Sequence, residues 1–138
     1  MDVTALPFNR LLGLEAAQPE SGFLVSLPGG LQYTNHVGTV HAGALLALAE
    51  AGSGAFLAQH LVPGCLPLVR RMKAKFRKPA HGRIWARALA EPAEMERATA
   101  ELQAKGKALL RLPVEVVDES GQVVLSAEVE WFISRIVE

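Results

Sequence analysis

From about His41 to His60 nearly every position is Ala, Leu, Gly, Ser or Phe, and Glu50 is the one residue in that stretch with a formal charge. A surface helix keeps a polar stripe opposite its apolar one. This stretch has none, so it predicts a helix buried on most sides, starting near His41 or Ala42 and closed by Pro63-Gly64. Downstream the period changes. Met72, Ala74 and Phe76 alternate with Lys73, Lys75 and Arg77, as expected of a strand over 67–78 with one apolar and one basic face. Pro79-Ala80-His81-Gly82 then predicts a turn, 83–90 a returning strand, 92–105 a short helix or helical loop, and 107–117 and 122–133 two strands about the turn Asp118-Glu119-Ser120-Gly121. Upstream, 22–27 reads as a strand ended by Pro28-Gly29-Gly30, and 4–12 as a short helix with Thr4 as cap and Gly13 as stop. The order is strand, long helix, then four strands in a meander joined by tight turns. It predicts an α+β fold, a curved antiparallel sheet of about five strands wrapped around the helix, in a single domain over 1–138.

Composition narrows the classes of function. Fourteen basic residues balance fourteen acidic ones in a chain that is 50% hydrophobic. That argues against disorder and against general nucleic-acid binding, and little net charge opposes self-association. A single cysteine, Cys65, excludes an internal disulfide framework, and with no secretory leader it points to a cytoplasmic setting. No uninterrupted apolar run approaches roughly 18 residues, so no membrane span is expected. His, Cys and carboxylates show no metal-ligand spacing, and no phosphate-loop or dinucleotide fingerprint is present, so neither metal nor cofactor is expected.

The chemistry concentrates between Asn35 and Glu50. A lone carboxylate on an apolar helix costs free energy unless it is paired, hydrated or used, and carboxylates in such places are a common source of general bases. The helix start offers the opposite charge: unpaired backbone N–H groups of Ala42 and Gly43 at a positive dipole end. Nine residues separate His41 from Glu50, which puts them on opposite helix faces about 13 Å apart along the axis. One chain therefore cannot unite them, whereas a two-fold dimer would make two sites, each with Glu50 from one subunit and His41 and Asn35 from the other.

Asn35, Gly38, His41-Ala42-Gly43 and Glu50, with Phe76-Arg77-Lys78-Pro79-Ala80 and Gly82, resemble the hotdog-fold acyl-CoA thioesterases related to the phenylacetate-pathway enzymes. The resemblance covers most of the chain. It implies an enzyme that hydrolyses acyl-CoA to a free acid and CoA in a homodimer or a dimer of dimers. Glu50 would be base or nucleophile, Asn35 would orient water or the carboxylate, and His41 would bind or orient. The Ala42 N–H would polarise the thioester carbonyl, with Gly43 alongside and Gly38 setting the loop's backbone. Arg77 and Lys78, within the basic set Arg70, Arg71, Lys73, Lys75 and Arg83, are candidates for the phosphates of CoA. Two positions depart from the family pattern. Ala42 stands where Gly is usual, and Val69 lies near the place where some relatives supply a hydroxyl. These departures favour an alternative, a hotdog protein that binds acyl-CoA or another apolar ligand without turnover. A third reading, an acyl dehydratase or hydratase, would use His36 with Glu50; His60 and His81 read as helix-end and turn residues.

Overall fold

The computed structural model describes residues 1–136. A single antiparallel sheet of six strands curves around helix α2 (Ala42–His60). The strands are β1 (Glu15–Ala16), β2 (Val25–Leu27), β3 (Cys65–Phe76), β4 (Ile84–Ala88), β5 (Lys107–Val117) and β6 (Val123–Arg135), in the spatial order β1-β2-β4-β5-β6-β3. This is the expected α+β hotdog arrangement, with one strand more than the pattern suggested. β1 is only two residues long, too short to leave a periodic trace.

The N-terminal expectation fails in detail. Pro7 forces Leu6 into extended geometry and splits the segment. Asp2, rather than Thr4, caps a 3-10 turn over Val3–Ala5, and helix α1 (Pro7–Leu12) begins separately. The strand expected over 22–27 shortens to β2 because Gly22 takes a left-handed conformation.

The meander holds for β4, β5 and β6, which neighbour one another in sequence order, but not for β3. β3 pairs only with β6, while β4 pairs with β2 and β5 on the other side of the sheet. The Pro-Ala-His-Gly turn therefore belongs to a crossing, not a hairpin. Residues 77–83 run past the N-terminal end of α2, where the buried Ala80 accepts the Val40 N–H at 2.9 Å. A turn motif shows that the chain reverses; which strand it then joins depends on where the helix lies.

The inward residues of β5 (Leu110, Leu112, Val114, Val116) and β6 (Leu125, Val129, Ile133) pack around Leu48 and Ala49 of α2. β4 covers β5 only over Val114–Val117, so the rest of that edge needs other partners. Helix α3 (Pro92–Lys105) supplies them. Glu94 accepts the Arg111 N–H at 2.9 Å, and Arg97, itself paired with Glu94 and Glu101, donates to the Leu109 carbonyl. Arg97 beside Glu94 holds that carboxyl below the usual glutamate range.

By length and composition α2 passes the test for a membrane-crossing helix, which the expectation from uninterrupted runs did not anticipate; half of the qualifying window is buried inside the fold. Its glycines set how close it lies to the sheet. A Cβ on Gly52 would stand 2.8 Å from the Cβ of the fully buried Ala86, whereas one on Gly54 would make ordinary contacts at 3.6 Å or more with Val3 and Trp131. Gly52→Ala is therefore expected to destabilise the protein by about 1–3 kcal/mol, since neither Cβ can rotate away. Gly54→Ala is expected to stabilise it by up to ~1 kcal/mol through helix propensity. Thermal melts of the two variants should move in opposite directions, and a Gly52→Ala melt at or above wild type would refute the close approach.

Candidate active site

Asn35 builds the loop that leads into α2. Its Oδ1 accepts the N–H groups of Val37 (3.0 Å) and Thr39 (3.1 Å), and its Nδ2 donates to Thr39 Oγ1 at 2.8 Å. Gly38 turns the loop with φ +84°, a region where side chains are strained. The loop closes by a bridge between Thr34 and Val40 and is anchored by His41 N–H to the Tyr33 carbonyl at 2.7 Å. Tyr33 Oη in turn donates to the Leu12 carbonyl, so α1 braces the helix entrance.

His41 is the N-cap of α2. Its Nδ1 accepts the Gly43 N–H at 2.8 Å, which fixes the neutral ring with its proton on Nε2. Two consequences follow. His41 can donate a hydrogen bond outward but cannot act as a base through Nδ1 without giving up the cap. The Gly43 N–H is also engaged, so of the two donors expected at the helix start only that of Ala42 has no hydrogen-bond partner among the described residues.

Ala42 also lines a groove of about 320 Å³, with Asn35, Thr39, Leu45, Arg77 and Lys78 among others. Four of the residues expected at a site (Asn35, Ala42, Arg77 and Lys78) thus meet at one place, because the crossing after β3 carries its basic pair past the helix start. Arg77 is steadied by Nε donating to Ser126 Oγ at 2.6 Å. Three of the other basic residues have neighbours on the sheet. Arg83 pairs with Glu15 and donates to Ser26, and Arg71 and Lys73 stand opposite Glu130 and Glu128 on β6.

Glu50 is not in the groove. It lies two turns further along α2, half-buried, with no side-chain hydrogen bond or ion pair among the described residues. Burial pushes its carboxyl above the ordinary glutamate value. His36, the residue needed for a dehydratase, is exposed in the loop, and Val69 sits on β3 beside a register shift. No cluster of metal-ligating residues occurs among the described residues. Ser53 and Trp131, which no motif or spacing in the sequence connects, meet in the core at 3.0 Å. A serine one turn past a lone carboxylate was the available hint; its partner is 78 residues away.

The sequence profile of the family described as a domain of unknown function, DUF4442, matches residues 8–133. The chain belongs to the DUF4442 family. Among solved structures, this DUF4442 chain is similar to a Pseudomonas aeruginosa protein of unknown function described as a probable thioesterase: 29% identity, TM-score 0.82, covering 96% of this chain and 91% of that one. A Haemophilus influenzae thioesterase shares the fold at 13% identity and TM-score 0.73, covering 99% and 88% of the two chains. A Bacillus halodurans protein solved with CoA shares it at 19% identity and TM-score 0.69, covering 91% and 74%. No curated protein matches the chain at comparable significance. The neighbours agree with the hotdog thioesterase resemblance, while nothing singles out the phenylacetate-pathway branch.

Proposed function

We propose that this DUF4442 protein hydrolyses acyl-CoA thioesters, in active sites completed by a second copy of the chain. The observation that carries the reading is Glu50, half-buried and unpartnered on a helix with no other formal charge. The groove supplies the complement. The Ala42 N–H at the helix N-terminus would polarise the thioester carbonyl, the second Nδ2–H of Asn35, not used by its loop, would orient water, and Arg77 and Lys78 would meet the phosphates of CoA. Glu50 would take a proton from water as its oxygen bonds to the carbonyl carbon. The C–S bond then breaks, and the leaving thiolate recovers the proton. Direct attack by the carboxylate, giving an anhydride that water cleaves, is the variant of the same scheme. The relatives described as thioesterases, and the one solved with CoA, support this substrate class.

A second copy is needed because Glu50 and Ala42 of one chain lie about 12 Å apart along α2. The free edge of β3 offers the place for it. It is twelve residues long, unpaired on one side, and leaves Leu66, Leu68, Val69 and Phe76 between 38% and 58% exposed. Antiparallel pairing of two such edges would bring each groove, which begins at Phe76, toward the partner's α2. The alternative, binding without turnover, draws on the engagement of Gly43, which leaves one backbone donor instead of two.

The test is free thiol released from a panel of acyl-CoAs, followed by subunit mixing. Glu50→Gln and Ala42→Pro are each expected to be inactive. Re-assorted together, they should regain about a quarter of wild-type activity, because half the isologous dimers are hybrids with one intact site. Activity absent from the mixture while each variant still dimerises would show that one chain holds the whole site. Acyl-CoA bound by the wild type with no thiol released would establish the binding reading instead.

A further inference from the structure

Close packing, as at Gly52 against Ala86, sets which face of α2 meets the sheet, but its Ala, Leu and Gly side chains add few directional contacts. Among the described residues a single hydrogen bond joins an α2 side chain to the sheet. Trp131 Nε1–H donates to Ser53 Oγ at 3.0 Å, and the Ser53 hydroxyl donates to the Glu50 carbonyl at 2.7 Å. Ser53 is 0% exposed and Trp131 5%, so both donors would be costly to leave unpaired. The chain of bonds ends on the peptide that carries the carboxylate.

Two further features mark this turn. Ser53 sends its proton to the carbonyl three residues back, a local bond that competes with the regular helix ladder. The next residue is Gly54, which has no side chain to brace the backbone, and a Cβ there would reach the Trp131 ring at 3.7 Å. Trp131 lies on β6 between Leu110 of β5 and Val69 of β3, at the position where the register of the free-edge strand shifts between Val69 and Arg71. The bond therefore ties the Glu50 turn to the sheet beside the edge expected to meet a second subunit.

We propose that Ser53 and Trp131 are a rotational key, positioning residues that fix the direction in which Glu50 leaves α2. A reacting group must be held within roughly 10–20° of its working direction. Among the described residues α2 makes no other side-chain hydrogen bond to the sheet that would help set that angle. The activity readout rests on the reading of Glu50 as base; the structural readout does not.

The test compares Ser53→Ala with the double variant Ser53→Ala/Trp131→Phe in the full-length protein. The single variant leaves the indole N–H without an acceptor, so its melting temperature should fall. The double variant removes the orphaned donor as well but leaves part of the indole volume empty, so its stability reports the balance of the two. Both lack the key. In both, the titration midpoint of the Glu50 carboxyl, followed by carbon-13 NMR, should move toward that of an ordinary glutamate. In both, kcat for acyl-CoA hydrolysis should fall by about 10²-fold with KM little changed. A merely structural bond predicts otherwise: folded variants with a wild-type Glu50 titration and wild-type kcat overturn the proposal. If the wild type releases no thiol from any acyl-CoA, the hydrolase reading fails and the titration decides the key alone. A moved midpoint then supports it, and an unmoved one overturns it.

Discussion

Glu50→Gln is expected to lower thiol release from acyl-CoA by about 10²–10⁴-fold while making the folded protein more resistant to denaturation at neutral pH. The two effects share one cause. Burial pushes the carboxyl above its ordinary value, so the fold favours its protonated form. The native state then holds a proton that the unfolded chain gives up at lower pH. Stability falls as pH rises from the unfolded value to the folded one and stays reduced above it. Glutamine keeps the size and cannot ionise, so its advantage should be full at neutral pH and vanish below the unfolded carboxylate value. Catalysis runs the other way, because a base must be deprotonated. The acid limb of kcat/KM should therefore lie above the ordinary glutamate value, and denaturant melts across pH should show the variant's advantage disappearing toward acid. A variant as active as wild type would remove Glu50 from the mechanism. A variant equally stable at every pH would remove the burial argument.

Ala42→Pro tests the other half of the site with little cost to the fold. Ala42 is the first residue of α2, where a missing N–H breaks no helical bond and the proline ring suits the backbone. His41 has φ −62° and ψ 140°, the geometry favoured before proline. The substitution thus deletes one hydrogen-bond donor and puts the ring's Cδ in its place, leaving the helix backbone intact. Removing an oxyanion donor of this kind should lower kcat by about 10²–10³-fold, with circular dichroism and melting temperature close to wild type. Ala42→Gly is the matching control: it keeps the donor, removes the methyl group from the groove, and should retain activity. Unchanged kcat in the proline variant would show that the carbonyl is polarised from elsewhere.

The elements themselves were largely legible. α2, α3 and β5 begin and end within a residue of the expected positions, because their periodicity, caps and glycine stops are local. The pairing of β5 with β6 about the turn at 118–121 was legible too, but the place of β3 was not. The turn at 79–82 reads the same whether the chain folds back on β3 or crosses to β2 and β5, and only the helix lying across the sheet selects the crossing. The groove depends on that choice, since Arg77 and Lys78 reach Asn35 and Ala42 through the crossing.

The candidate site divides along the same line. The sequence by itself determined a lone carboxylate on an apolar helix and a donor-bearing helix start nine positions before it, and helix geometry alone separates the two in one chain. Tertiary structure decided which groups are free to act. It showed the Gly43 N–H held by His41, the Asn35 oxygen held by its own loop, and Glu50 left without a partner among the described residues. It also brought Ser53 to Trp131 across 78 positions of sequence. Hydrogen bonds and burial act over a few ångströms in space, and the sequence records only distance along the chain.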